Sequence, residues 1–117
     1  MRILVVDDDY HDAQQLSSFA RKEGIEVRVL NNLPEAVRVL VAEEYNLLFL
    51  DMHLPGLNGS TALSLLGEVA PRTPVILLAN PASLHSTHQL LEAGAFRVLE
   101  KPLDRETLLS AIREAFA

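Results

Sequence analysis

The fold of this chain is inferred from the stretch Leu47-Leu48-Phe49-Leu50-Asp51-Met52-His53-Leu54-Pro55-Gly56-Leu57-Asn58-Gly59. Four apolar residues lead directly into an aspartate, and turn-forming residues follow it. A short apolar run bounded by turn signals predicts a buried β-strand, here over 46–50. Asp51 then stands at the carboxyl end of that strand, where open α/β sheets bind their ligands. The alternative for a lone aspartate after a strand is an Asx turn or a helix N-cap.

On either side of this stretch the chain alternates between predicted strands and helices. Aliphatic runs at 3–6 and 75–79 predict strands that are buried on both faces. Alternating apolar and charged residues at 25–30 predict a strand near a sheet edge, and a more polar strand is predicted at 96–99. Helices are predicted at 12–23, 33–43, 60–69, 82–93 and 105–115. This β-α alternation predicts one domain, 1–117, with a doubly wound parallel α/β sheet between helices.

Polar residues and glycine mark the ends of these helices. Asp9, Asn32 and Asp104 are predicted N-caps, because each stands directly before a helical pattern. Glu35 follows Asn32 by three residues and predicts a capping box. Gly24 is predicted to stop the first helix.

The composition excludes several classes of protein. The chain has no Cys, which excludes a disulfide framework, a thiolate metal site and a cysteine nucleophile. No apolar run approaches the roughly 20 residues of a membrane span, and the first residues lack the features of a signal peptide. A cytoplasmic protein without membrane contact is therefore predicted. The net charge of −6 and the few aromatic residues argue against direct nucleic-acid binding.

Charged side chains follow three of the predicted strands. Asp7, Asp8 and Asp9 come after the first strand, Asp51 after the third and Lys101 after the fifth. If the first and third strands are neighbours, carboxylates about 5 Å apart repel by roughly 3 kcal/mol at an effective dielectric near 20. A hard divalent cation offsets this repulsion, and all-oxygen ligands select Mg²⁺ or Mn²⁺. The alternatives are a solvated helix cap for the first three acids and a surface lysine before a turn for Lys101.

In combination, these motifs resemble the receiver domains of two-component response regulators, of the chemotaxis-regulator type. The resemblance covers the whole chain. It rests on Val5-Val6-Asp7-Asp8-Asp9, on 51–59, on Pro74-Val75-Ile76-Leu77-Leu78 and on Lys101-Pro102. It implies a flavodoxin-like fold with strand order 2-1-3-4-5 and a cis peptide between Lys101 and Pro102.

The resemblance also implies roles for particular residues. Asp51 is implied to be the phosphoacceptor, which receives a phosphoryl group from a histidine kinase. Asp7, Asp8, Asp51 and the backbone carbonyl of His53 are the implied ligands of Mg²⁺. Lys101 is implied to bind a phosphoryl oxygen. In-line phosphoryl transfer needs these parts: a carboxylate nucleophile, a metal ion and a cation on the equatorial oxygens.

The chain departs from the family at the positions that transmit the signal. The family usually has Thr or Ser where this chain has Ala79, then a small residue where it has Asn80, and an aromatic where it has Val98. The missing hydroxyl removes a hydrogen bond worth about 1.5–3 kcal/mol, whereas reversing a 1:99 equilibrium needs about 5.5 kcal/mol. Altered signalling is therefore predicted. The Asn80 amide could bind the phosphoryl group in place of the hydroxyl, or its bulk could narrow access to Asp51.

Three histidines carry weaker predictions. The His53 side chain either contacts the phosphoryl site or points to solvent, and solvent is favoured. His85 and His88 stand at a spacing that can hold a metal, but without an evident third ligand an exposed helix face is favoured.

Three functions compete at this stage. The first is a phosphorylated receiver, a signalling domain with no enzymatic activity beyond its own phosphorylation and dephosphorylation. Its implied partners are a sensor histidine kinase or phosphotransfer protein and an output domain or partner protein. A homodimer through the face of helix 4, strand 5 and helix 5, over 82–115, is also implied. The second function is a receiver-like interaction module whose output does not depend on phosphorylation. The third, a phosphotransferase of the haloacid dehalogenase type, is disfavoured because that family has a second Asp at the position of His53.

Overall fold

The structure is a computed structural model that describes residues 1–80 and 87–117. Its strands are β1 Arg2–Val6, β2 Glu26–Leu30, β3 Leu47–Asp51, β4 Val75–Ala79 and β5 Arg97–Glu100. Its helices are α1 Tyr10–Arg21, α2 Leu33–Ala42, α3 Gly59–Val69, α4 Thr87–Glu92 and α5 Arg105–Ala115. Within the described residues, no helix has both the length and the apolar character needed to cross a bilayer.

The five strands form one parallel sheet in the order β2-β1-β3-β4-β5. This arrangement confirms the predicted flavodoxin-like topology and places β2 at an edge, as its alternating sequence indicated. In chain order, β2 is added on one side of β1, whereas β3, β4 and β5 are added on the other side. Such a switch point leaves a crevice outside the carboxyl ends of the two central strands, β1 and β3.

Two hydrophobic cores, one on each face of the sheet, hold the helices in place. Along β1, Ile3 and Val5 pack into the core beneath α1 and α5. Leu4 and Val6 point to the opposite face, into the core beneath α2, α3 and α4. Because successive side chains of a strand point to opposite faces, a strand covered on both sides needs the unbroken aliphatic runs seen in the sequence.

The predicted helix starts are largely confirmed. The side chain of Asp9 caps α1 by accepting from the Asp12 N–H, so α1 begins two residues earlier than the apolar spacing predicted. Asn32 caps α2 and accepts from the Glu35 N–H. The Glu35 carboxylate pairs with Arg38, so the reciprocal half of the predicted capping box is wrong.

Two predictions fall partly on residues that the structure does not describe. The first half of the predicted helix 82–93 lies outside the described residues, and α4 is described from Thr87 to Glu92. His85 lies outside them as well. His88 Nε2 lies 2.8 Å from Glu92 Oε1, one turn further along an exposed helix face.

A compact turn follows the central strand and sets the start of α3. The Leu57 N–H donates to the Leu54 carbonyl at 3.0 Å across Pro55 and Gly56, and Gly56 has φ +74°. This is a type II turn, in which the third residue needs positive φ and is therefore usually glycine. Asn58 then caps α3 by accepting from the Thr61 N–H.

Candidate functional site

Three carboxylates converge at the crevice between β1 and β3. Asp51 is the last residue of β3, and Asp7 follows the last residue of the neighbouring β1. Asp7 and Asp51 are buried, with 3% and 2% of their surface exposed, whereas Asp8 is exposed. One oxygen from each of the three lies within 4.8 Å of the others. The sheet therefore brings together the carboxylates that the sequence predicted to meet.

Backbone N–H groups orient the two buried carboxylates. The Asp9 N–H donates to Asp7 Oδ1 at 3.0 Å, and the His53 N–H donates to Asp51 Oδ1 at 3.0 Å. Both are Asx-type bonds to the residue two positions further on. The alternative considered for Asp51, an Asx turn, is therefore present together with the carboxylate cluster.

Lys101 extends into this cluster from the end of β5. Its Nζ lies 3.0 Å from Asp7 Oδ2, 3.1 Å from Asp12 Oδ2 and 3.5 Å from Asp51 Oδ1. The peptide that follows it, Lys101–Pro102, is cis, as the family resemblance implied. The backbone N–H of Lys101 donates to the Ala79 carbonyl at 2.7 Å, which holds the lysine beside the end of β4.

Asp12 belongs to this cluster and was absent from the predicted site. The sequence places it in the first turn of α1, where its acidic character has the ordinary explanation of favourable interaction with the helix dipole. Its position three residues after the N-cap Asp9 was the available signal. Helical side chains lean toward the N-terminus of their helix, and the start of α1 borders the crevice.

The pKa values of Asp7 and Lys101 are both raised in the folded protein. Burial is the main cause that raises the pKa of Asp7, the charge of Asp51 adds to it, and the Asp9 N–H and Lys101 oppose it; the net result is a pKa of about 6. For Lys101, burial opposes the charge, but hydrogen bonds to Asp7 and Asp12 and the charge of Asp51 raise its pKa above the ordinary value. Lys101 is therefore a permanent cation among carboxylates, one of which is reluctant to ionise.

The donor set fits a hard divalent cation. All three convergent side chains offer carboxylate oxygen, which Mg²⁺ and Mn²⁺ prefer over softer ligands. Burial is the main cause of the raised pKa of Asp7, and the negative charge of Asp51 adds to it, so positive charge beside Asp7 would favour its ionised form. A divalent ion held by Asp7, Asp8 and Asp51 would supply that charge.

The end of β4 lacks a side-chain hydroxyl, and a histidine contacts its backbone. Ala79 is fully buried, and Val98 on β5 is half-buried. The Asn80 N–H donates to His53 Nε2 at 3.0 Å. His53 remains exposed, as favoured from the sequence, but its ring also joins the loop after β3 to the end of β4. That contact was not predicted.

Comparison with known proteins gives one matching family. The chain matches the family model described as the response regulator receiver domain over residues 3–113. It is 32% identical over 116 residues to the response regulator protein PilR of Pseudomonas aeruginosa, covering 96% of this chain and 26% of that protein. It is 35% identical over 113 residues to the uncharacterized transcriptional regulatory protein YkoG of Bacillus subtilis, covering 97% of this chain and 50% of that one. The chain thus spans between a quarter and half of these relatives.

Solved structures agree with this match. A two-component response regulator from Clostridium difficile superimposes with a TM-score of 0.90 at 26% identity, covering 99% of this chain and 95% of that chain. A CheY-like receiver domain protein from Methanospirillum hungatei superimposes with a TM-score of 0.87 at 31% identity, covering 97% and 90%.

Proposed function

This chain belongs to the response regulator receiver domain family of two-component signalling proteins, and on that premise we propose that Asp51 accepts a phosphoryl group. One observation carries the proposal. A buried carboxylate at the end of β3 lies among Asp7, Asp8 and a protonated Lys101, at the switch point of the sheet. A carboxylate nucleophile, a place for a metal and a fixed cation are the parts that phosphoryl transfer requires.

The chain's own groups orient the nucleophile. The His53 N–H and the Lys101 ammonium both contact Asp51 Oδ1, and this fixes the plane of the carboxylate. The side chain is 3% exposed, so only its outer edge is open to an incoming phosphoryl donor. A group held in one orientation loses little entropy when it reacts, and this lowers the barrier.

Asp7, Asp8, Asp51 and the His53 backbone carbonyl would hold Mg²⁺, for which Mn²⁺ can substitute. When bound, the ion neutralises the carboxylates and polarises the phosphoryl oxygens. Asp7 and Asp51 are oriented for this role by the N–H groups of Asp9 and His53.

Lys101 and Asn80 would bind the phosphoryl oxygens. The raised pKa of Lys101 keeps its ammonium charged throughout the physiological range, so it can stabilise charge on an equatorial oxygen. Asn80 lies directly after β4 and is exposed, and its side-chain amide has N–H groups that can donate to a phosphoryl oxygen.

The phosphoryl donor would be a sensor histidine kinase or a phosphotransfer protein. The relatives PilR and YkoG are described as a response regulator protein and a transcriptional regulatory protein, and this chain covers 26% and 50% of them. We therefore propose an output through a C-terminal domain or a partner protein, in the cytoplasm. This domain itself would bind neither nucleic acid nor membrane, and its only chemistry would be its own phosphorylation and dephosphorylation. The face formed by α4, β5 and α5 is the proposed surface for a homodimer.

One observation favours a second candidate function. Ala79 has no hydroxyl to bond a phosphoryl group, and Val98 replaces the aromatic that usually completes the switch. Weak coupling follows from these two positions. In the limit, the domain is an interaction module whose output does not depend on phosphorylation of Asp51.

Beryllofluoride, which mimics a phosphoryl group, tests the proposal. We expect a saturable adduct at Asp51 in the presence of Mg²⁺, observed by ¹⁹F NMR, and no adduct in Asp51→Asn. Asp104→Asn is the matched control, because it makes the same change at the exposed cap of α5 and should form the wild-type adduct. Absence of the adduct from wild type at saturating Mg²⁺ and beryllofluoride would overturn the proposal and favour the interaction module.

A further inference from the structure

The ammonium of Lys101 is shared among three carboxylates rather than committed to the phosphoacceptor. An ammonium has three N–H donors, and Lys101 Nζ has Asp7 at 3.0 Å, Asp12 at 3.1 Å and Asp51 at 3.5 Å. The contact with Asp51 is therefore the longest of the three. Asp12 stands outside the group of carboxylates that could share a metal, so its contact in the site is with the lysine.

We propose that Asp12 is a positioning residue of the phosphoryl site, which holds Lys101 in the resting protein and competes for its ammonium with an incoming phosphoryl group. The competitive half of this inference, that Asp12 competes with a phosphoryl group for Lys101, rests on the proposed function of Asp51. The holding half, that Asp12 holds Lys101 in the resting protein, does not, because it concerns the contacts of the unmodified protein.

Exposure decides which carboxylate Lys101 gives up. The side chain of Asp7 is 1% exposed and that of Asp12 is 31% exposed. Leaving Asp7 without its cation would strand a buried charge, which is costly, whereas water can solvate Asp12 as it leaves. The Asp12 contact is therefore the one that a phosphoryl oxygen replaces.

The packing beside the Asp12–Lys101 contact leaves room for a phosphoryl oxygen to replace the Asp12 carboxylate. A cavity of about 20 Å³ lies between α1 and the start of the loop after β5, and Asp12, Gln15 and Lys101 line it together with Pro102. A space of that size holds about one water molecule. The Asp12 carboxylate can part from Lys101 and remain hydrated without displacing the core.

The exchange would reach α1 without using the atypical switch positions. The Asp12 N–H is bonded to the cap Asp9, so the backbone of the first turn stays in place while the Asp12 side chain moves. The movement of the Asp12 side chain would alter the exposed start of α1, beside Tyr10, which is 78% exposed. Neither Ala79 nor Val98 takes part.

The holding half is tested on the metal-free protein. We expect Asp12→Asn to accelerate exchange of the Lys101 ammonium protons with water at least threefold, measured by ¹⁵N-resolved NMR at low temperature. Asp12→Glu, which keeps the charge, should restore slow exchange. Unchanged exchange in a folded Asp12→Asn protein would overturn the inference, whatever happens at Asp51.

The competitive half is tested by titrating beryllofluoride at fixed Mg²⁺ with ¹⁹F detection. We expect Asp12→Asn to lower the half-saturating concentration at least threefold and Asp12→Glu to leave it near wild type. Asp9→Asn is the control, because it removes one charge from the same loop and retains the helix cap, while among the described residues Asp9 interacts with Lys101 only through longer-range charge and forms no ion pair with it. Equal affinities in wild type and Asp12→Asn, or the same gain in Asp9→Asn, would overturn the competition. No adduct in any protein would instead refute the role of Asp51.

Discussion

Replacing Asp7 by Asn should stabilise the metal-free protein at neutral pH. Asp7 is 3% exposed, and its Oδ1 accepts the Asp9 N–H, a bond that an Asn side-chain oxygen can also accept. Burial raises the pKa of Asp7 to about 6 in spite of the neighbouring Lys101, so the native fold favours the neutral carboxyl. Asn is the uncharged side chain of the same shape.

The magnitude follows from the pKa shift. The ordinary value is 3.8 and the native value about 6, and each unit corresponds to about 1.4 kcal/mol. Ionised Asp7 therefore costs the native state up to about 3 kcal/mol, and we expect a gain in Asp7→Asn of about 1–3 kcal/mol, because the Asn amide faces Lys101 less favourably.

The stability gained in Asp7→Asn should depend on pH in a definite direction. An acid with a raised native pKa binds more protons in the folded than in the unfolded state, so wild-type stability falls as pH rises. For Asp7 that fall runs from about pH 4, near its ordinary pKa of 3.8, to about pH 6, its native value. The advantage of Asp7→Asn should be complete above about pH 6 and absent below about pH 4.

The assay is urea unfolding with a chelator present, at pH 4 and at pH 7.5. Asp8→Asn is the matched control, because Asp8 is the exposed neighbour in the same cluster and carries no comparable burial. In a separate series without chelator, Mg²⁺ at ten times its dissociation constant should stabilise wild type by about 1.4 kcal/mol. It should stabilise either variant much less. An Asp7→Asn protein that is less stable than wild type at pH 7.5, or a gain that persists at pH 4, would refute this account.

Two further variants test other parts of the structure. Ala79→Thr restores the hydroxyl at the end of β4, and we expect it to enlarge the beryllofluoride-induced amide shifts across β5 and α5, which should be small in wild type. Large wild-type shifts there would show that another group, such as Asn80, already carries the signal. Ser17→Ala should raise the free energy of unfolding by about 1 kcal/mol, because the buried Ser17 Oγ has no hydrogen-bond partner among the described residues. Urea unfolding measures this, and an unchanged or lower stability would contradict the explanation.

The sheet and much of the candidate site were predictable because they rest on local patterns. The runs at 3–6, 47–50 and 75–78 are too continuously aliphatic for a half-exposed strand, and the structure covers these strands on both faces. Parallel strands end at one edge, so acids after β1 and β3 had to approach each other once the strand order was known. The order itself came from the family resemblance rather than from any single segment.

Contacts between distant segments were not predictable in the same way. Asp12 had a sufficient local explanation as an acid in a first helical turn, and its 3.1 Å contact depends on where Lys101 ends 89 positions later. The His53 contact with the Asn80 N–H likewise joins two loops whose separation depends on the packing of β3 against β4. A sequence pattern specifies which face a residue occupies but not the distance to a partner on another element.

Local sequence patterns specified the strands, the helix caps Asp9, Asn32 and Asp104, and the chemical character of the crevice, because hydrophobic period and capping act over a few residues. Tertiary packing set how the charges are shared between Lys101 and the carboxylates. It buried Asp7 while leaving Asp8 exposed, and this burial raised the pKa of Asp7. It also divided Lys101 among three carboxylates. Burial and charge–charge distances are properties of packed elements, and electrostatic energies change steeply with both.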